Sequence, residues 1–213
     1  MSFIRRRSSI NHAYLINNIP IPSVSHKKDL YIFLSYDLNY PSYIQSISCK
    51  AYKTLGFIKL ISSDFNLTSS IKALYCSLIQ SQLEYGSVLW DPHTASDSAT
   101  IERVQRRFLF YAGYVLGIPH SLHDYSPVLH ELNLLTLADR RLNSNFKFLQ
   151  NLIGGISDAP SLLSLINFCV LPRPTRSTAP VSIPKRSTNY SQNNPIDRLM
   201  RLANNHSSIL LYS

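Results

Sequence analysis

Apolar residues recur at steps of three and four along much of the chain, which is the spacing of one face of an α-helix. After Pro41 this pattern predicts a first helix over residues 42–62. A second helix should begin near Thr68, whose hydroxyl can cap it, and end by Trp90, because Asp91 and Pro92 cannot continue it. The residues expected inside are Ile44, Ile47, Ala51, Leu55, Ile58 and Ile61 of the first helix and Ile71, Leu74, Tyr75, Leu78 and Ile79 of the second.

A third helix is predicted to start with Asp97 or Ser98 as its N-cap. Its inner face would carry Ile101, Val104, Phe108 and Tyr111, and another face would carry Arg103, Arg106, Arg107 and Phe110. A later helix over residues 138–153 should stop at Gly154. Its expected inner face is Ala138, Leu142, Phe146, Leu149 and Ile153.

The two ends of the chain have different patterns. Two short apolar runs, 14–16 and 30–34, flank Pro20, Pro22 and a polar turn region, which is typical of a β-hairpin. Five of the twelve prolines fall between Pro172 and Pro195 among polar and basic residues, so this stretch has little to bury, and only a weak helix is expected near 196–203.

These patterns predict a mainly α fold. We expect a bundle of about four to six helices with a small N-terminal β-hairpin and a disordered Pro-rich C-terminal segment. The expected division is a hairpin region over 1–40, a helical body over 41–170 and a flexible tail rich in Pro, Ser and Asn over 171–213.

The charge of the chain adds a partner class. Its formal net charge of +9, from 21 Lys and Arg against 12 Asp and Glu, favours polyanions such as RNA and DNA. No apolar stretch approaches the roughly 20 residues of a membrane span, so we expect no membrane partner and an intracellular place, nucleus or cytoplasm.

Residues for catalysis are not grouped in any recognisable way. No two acidic residues are neighbours, as a two-metal site would favour. The acidic residues beside the second apolar run and beside the loop after Trp90 are explained as turn or capping residues: Asp29, Asp37, Asp91 and Asp97. His120 and His123 have no partner at metal-ligand spacing, and the three cysteines are far apart. We therefore expect no enzyme, no metal and no cofactor.

Basic residues interleaved with aromatic ones remain as candidates. We assign nucleic-acid contacts to Lys50, Lys53, Arg103, Arg106 and Arg107, because cations neutralise phosphates and nearby rings stack on bases. The alternative is that the rings are core and the cations form the solvated faces of amphipathic helices.

Three segments then point to a family. Residues 50–58 (KAYKTLGFI), 83–90 (LEYGSVLW) and 101–109 (IERVQRRFL) resemble, in order and spacing, the segment after the polymerase palm of jockey-like non-LTR retrotransposon reverse transcriptases. The resemblance covers most of residues 1–150. It implies a thumb and post-palm region that holds RNA, DNA or an RNA–DNA hybrid weakly and without sequence preference.

The departures from the family pattern shape the expectation. The family's palm, with its metal-binding aspartates, would lie before Met1, so the chain looks like a truncated or decayed copy without polymerase activity. Tyr31 stands where the family usually has Gly. The alternatives are a non-functional remnant, a protein-interaction module that self-associates, or a partner of a separate polymerase palm.

Overall fold

The computed structural model describes residues 14–22, 24–62, 67–169, 179–186 and 192–206. It is mainly helical, with 59% helix and short antiparallel strands near its N-terminus, which confirms the predicted fold class. The strands are β1 (Leu15–Ile16), β2 (Ile19–Pro20), β3 (His26–Asp29) and β4 (Ile32–Ser35). The helices are α1 (Pro41–Ile61), α2 (Thr68–Leu74), α3 (Ser81–Glu84), α4 (Ser87–Trp90), α5 (Ala95–Leu116), α6 (Ser126–Glu131), α7 (Leu137–Ile153), α8 (Pro160–Leu163) and α9 (Pro195–Asn205).

The strands form two separate hairpins, so the expected pairing of run 14–16 with run 30–34 is wrong. β1 pairs with β2 and β3 pairs with β4. The chain reverses locally at Asn17 and Asn18, and again at Leu30 and Tyr31, all four with positive φ. Tyr31, at φ 67°, occupies the left-handed region that favours glycine, where the resembling family usually has that residue.

The chain divides into two compact units. The first contains Met1–Leu83 and Thr94–Leu132, and the second contains Glu84–His93 and Asn133–Ser213. The expected division had its limits at 40 and 170 instead. Within the expected tail, residues 171–178, 187–191 and 207–213 lie outside the described residues, as do residues 1–13 and 23 of the expected hairpin region and residues 63–66 and 170 of the expected body.

The first unit is built on α1, α5 and the helical stretch from α2 to α3, which runs through a π-helical segment, Tyr75–Gln80. Tyr75 and Phe108 are both fully buried and stack with their ring centroids 4.1 Å apart. Most residues expected inside these helices are buried: Ile44, Ile47, Ala51, Leu55, Ile58, Ile71, Tyr75, Ile79, Ile101, Val104 and Phe108. Ile61, Leu74, Leu78 and Tyr111 are only half-buried.

Two helix caps differ from expectation, although α2 begins at Thr68 as predicted. α5 is capped by Thr94 rather than by Asp97 or Ser98: the Thr94 hydroxyl accepts the backbone N–H of Asp97 at 3.1 Å and donates to its carboxylate at 2.7 Å. The Thr94 hydroxyl thus satisfies an unpaired N–H of the first turn, and the Thr-x-x-Asp spacing is that of a capping box. Thr68 is the first residue of α2, and no side chain caps that helix.

The second unit has its core around α7 and α9. The buried cluster is Leu149, Leu152, Ile166, Val181, Leu199, Met200 and Ala203. The weak helix expected near 196–203 is present as α9, and its apolar residues at steps of three and four explain its burial. Four residues of the described ranges 179–186 and 192–206 therefore belong to this core: Val181, Leu199, Met200 and Ala203.

The predicted buried face of α7 is correct at Leu149 and lies one position too far along the helix at its other four residues. The buried residues are Leu137, Arg141, Asn145, Leu149 and Leu152, whereas Ala138 and Leu142 are exposed. Arg141 and Asn145 are held inside by Asp91, which accepts from the Arg141 Nε at 3.1 Å and from the Asn145 side-chain amide at 2.9 Å. In the part of the chain that the structure describes, no helix has both the length and the apolar character to cross a bilayer.

Candidate nucleic-acid interface

The basic residues assigned from the sequence lie on the outer sides of α1 and α5 in the first unit. Because Ile101, Val104 and Phe108 face the core, the arginines of α5 point to solvent. The lysines of α1 also point to solvent, because the apolar residues of that helix face the core. All five assigned cations are exposed: Lys50, Lys53, Arg103, Arg106 and Arg107.

A groove of about 450 Å³ separates the exposed sides of the two helices. It is lined by Tyr52, Leu55, Gly56 and Lys59 from α1 and by Arg103 and Arg107 from α5. The structure thus brings two of the five assigned residues to one place. Lys50, Lys53 and Arg106 are exposed on the same two helices but do not line the groove.

Two cations of the groove are held over aromatic rings. The Arg107 guanidinium carbon lies 5.9 Å from the centroid of the Tyr52 ring, and the Lys59 ammonium lies 5.4 Å from that of Tyr111. Distances up to about 6 Å allow a cation–π attraction, which limits the motion of these long side chains. The Tyr111 hydroxyl shares a 2.8 Å hydrogen bond with the Ser62 hydroxyl, which fixes the ring.

Lys59 and Tyr52 were not among the assigned contacts. A signal for them was present, because Tyr52, Gly56 and Lys59 follow one another at steps of four and three and so share one face of α1. Which residues of α5 stand opposite that face depends on how the helices pack, and the sequence alone does not give this.

Aromatic side chains extend the exposed face of α5 beyond the arginines. Phe110 is 59% exposed and Tyr114 is 83% exposed. With Arg103, Arg106 and Arg107 they recur at steps of three and four, so cations and rings share one stripe of the helix.

The cations of this face form no ion pair among the described residues, although α5 also contains Asp97 and Glu102. α1 contains no acidic residue. Among the described residues, no ion pair involves Lys50, Lys53, Lys59, Arg103, Arg106 or Arg107. The positive potential of the two helices is therefore directed to solvent, where it attracts anions.

His120 and His123, which were considered from the sequence as metal ligands, belong to no metal site among the described residues. No group of three His, Cys, Asp or Glu side chains there has the geometry to hold a metal ion. His120 instead lies against α5 at Gly113, where an added Cβ would come within 3.1 Å of the imidazole ring, and its Nδ1 lies 3.0 Å from the Ser121 carbonyl oxygen.

Comparison with known proteins adds no relative. No protein-family model, no curated protein and no solved structure matches the chain. The resemblance to reverse transcriptases of the jockey-like family therefore rests on the three sequence segments alone.

Proposed function

We propose that the exposed sides of α1 and α5 bind RNA, DNA or an RNA–DNA hybrid without sequence preference. The observation that carries the proposal is the set of six exposed cations on two packed helices with no carboxylate partner among the described residues. Lys50, Lys53, Arg103, Arg106 and Arg107 contact phosphates, and Lys59 joins them. The same face would serve as the thumb surface of the resembling polymerase family.

The physical basis is release of counterions. A nucleic acid concentrates cations along its phosphates, and each phosphate neutralised by Lys or Arg releases some of them, which favours binding at low salt. From Lys50 to Lys59, α1 spans about 14 Å at 1.5 Å per residue. That length matches about four nucleotide steps of a duplex at 3.4 Å each. A short oligonucleotide is thus long enough to reach the arginines of α5 and the cations on one side of α1, whereas Lys50 and Lys59, nine residues apart, lie on opposite sides of that helix.

The test is fluorescence anisotropy with a labelled RNA–DNA hybrid over a salt series. We compare the wild type with Arg103→Ala, Arg106→Ala and Arg107→Ala combined. Because each phosphate contact contributes about 0.9 to the slope of log affinity against log salt, loss of three contacts should lower that slope by up to about 2.7.

A matched variant controls for net charge. Lys27, Lys147 and Lys185 are exposed and lie outside the two helices, so changing all three to alanine removes the same charge elsewhere. This control should retain most of the salt slope. Equal losses in both triple variants, or no binding of the wild type at low salt, would contradict the proposal.

A second candidate is association with a protein through the first hairpin. Tyr14, Leu15, Ile16 and Ile19 are each between 58% and 69% exposed, and a contiguous apolar surface tends to drive association. Light scattering over a concentration series measures it. Growth in mass that Leu15→Lys with Ile16→Glu abolishes would support self-association, and a constant monomer mass would exclude it.

A further inference from the structure

The groove between α1 and α5 is open to solvent beside Gly56. A Cβ built on Gly56 would meet nothing within 4 Å, so the space beside the helix is open rather than filled by a neighbour. By contrast, the helical Gly113 is tightly covered by His120 and Val128. Gly56 is exposed, and α1 continues through it without a break.

The lining of this space combines three kinds of surface. Leu55 and the bare backbone at Gly56 give an apolar floor, Tyr52 gives an aromatic ring, and Lys59, Arg103 and Arg107 bring positive charge. Phosphate neutralisation alone needs no such floor. Flat apolar surface beside a ring and cations is what a base with its attached phosphate requires.

We propose that the groove takes an unpaired nucleotide, so that this face prefers single-stranded RNA or DNA to a duplex. The inference rests on the proposed function and deepens it. The base lies on the Leu55 and Gly56 floor beside Tyr52, and its phosphate is neutralised by Lys59, Arg103 and Arg107.

The size of the groove suits this occupant. A volume of about 450 Å³ falls within the range of roughly 300–1,000 Å³ that is usual for sites of small molecules. In a duplex the bases are paired and stacked inside, so only phosphates and sugars would reach the two helices. An unpaired strand can turn one base into the groove.

The exposed rings of α5 favour the same class of ligand. Phe110 and Tyr114 stand four residues apart on the stripe that carries the arginines, with 59% and 83% of their surface exposed. Aromatic side chains accept stacked bases of any sequence, which agrees with binding that has no sequence preference. A strand that leaves the groove along α5 would find rings for its next bases.

The experiment fills the groove and compares two probes. The variant is Gly56→Leu, and the probes are a labelled RNA strand of mixed sequence that does not pair with itself and the same strand fully paired with its DNA complement. Gln45→Leu is the matched control, because Gln45 is exposed on α1 and does not line the groove. Leucine is a better helix former than glycine, so the fold should tolerate the variant, which circular dichroism checks.

The wild type is expected to bind the single strand more tightly than the hybrid, although the hybrid carries more charge. Gly56→Leu should weaken single-strand binding at least about fivefold and hybrid binding less than about twofold, while Gln45→Leu changes neither. Tyr52→Leu removes the ring without filling the groove and should also weaken the single strand selectively. If Gly56→Leu lowers the midpoint of thermal unfolding, Tyr52→Leu is used for the comparison instead.

The possible failures are distinguishable. If the wild type binds both probes equally and neither groove variant discriminates between them, the inference is overturned. Salt-sensitive binding that depends on the three arginines would then leave the proposed function in place. No binding of either probe by the wild type would overturn both.

Discussion

The two units use positive charge in opposite ways. The described part of the second unit contains ion pairs of Arg140 with Glu84, Arg141 with Asp91 at 3.1 Å, Arg198 with Asp91 at 3.7 Å, and Arg186 with Asp197 at 2.7 Å. On the α1 and α5 face of the first unit, no described cation has such a partner. The net charge of the chain includes both sets of cations equally. Only the cations of the first unit, on α1 and α5, have their charge available for a polyanion.

The contrast also separates stability from binding. A half-buried ion pair contributes chiefly by satisfying groups that folding has removed from water, and breaking it leaves a costly buried charge. Exposed cations on a helix surface contribute little to stability and remain in solvent until an anion arrives. Removing charge should therefore destabilise the second unit but weaken binding by the first.

The largest effect is expected from Asp91→Ala. This carboxylate serves Arg141, whose side chain is only 4% exposed, together with Asn145 and Arg198. Its loss should lower the free energy of unfolding by about 3 kcal/mol, because Arg141 would stay buried without its carboxylate. Urea unfolding followed by the fluorescence of Trp90, the single tryptophan and a buried residue of the same unit, measures the change.

Asp158→Ala is the control for that measurement. Asp158 is exposed in the second unit, and its replacement should change stability by no more than about 0.5 kcal/mol. A similarly small change for Asp91→Ala would show that the buried network around Asp91 contributes nothing to stability. The expectation that the ion pairs of the second unit stabilise it would then be wrong.

A smaller effect is expected when an arginine of the first unit is given a partner. Phe110→Glu places a carboxylate four residues after Arg106 and three after Arg107, where helix side chains meet. Affinity for the RNA–DNA hybrid should fall about fivefold relative to Phe110→Gln, or about 1 kcal/mol, although every arginine remains. Anisotropy at low salt measures this ratio, and equal affinities of the two variants would mean that partners do not matter.

The smallest effect concerns a carboxylate of the first unit that accepts several hydrogen bonds. Burial acts to raise the pKa of Asp37, but hydrogen bonds donated by the Ser35 hydroxyl and by the backbone and side chain of Asn39 outweigh it and lower the pKa below 3.8. A depressed pKa contributes stability above the unfolded value, and this is lost as pH falls through the folded value.

Asp37→Asn should therefore cost about 0.5 kcal/mol near pH 7, since the carboxylate is partly solvated. The difference from the wild type should vanish as the pH falls below the folded pKa of Asp37. Thermal unfolding at several pH values follows it. A difference that stays constant down to pH 3 would mean that the charge of Asp37 has no part in the effect.

Sequence patterns predicted the first unit better than the second, for a physical reason. The inward faces of α1 and α5 are apolar at helical spacing, so periodicity located both the core and the exposed arginines. On α7 the same rule chose Leu142 and missed Arg141, because the partner that makes Arg141 a buried residue is Asp91, which lies 50 residues away. Apolar periodicity contains no information on such a pair.

Two features were within reach of the sequence. Thr94 with Asp97, and Thr136 with Asp139, each have the three-residue spacing of a capping box, which would have placed both helix starts correctly. The groove was not within reach. It lies where Gly56 faces Arg103 and Arg107 across two helices, and helix packing is not read from either segment alone.

The second unit is made of two separate stretches of sequence, and this affects how it folds during synthesis on the ribosome. Residues 84–93 of the second unit are synthesised before 94–132 of the first. Trp90 and Asp91 thus emerge well ahead of Arg198, and at roughly 5–20 residues per second the delay is about 10 s. During that interval an apolar ring and an acidic group that belong inside the finished protein are open to water, proteases and chaperones.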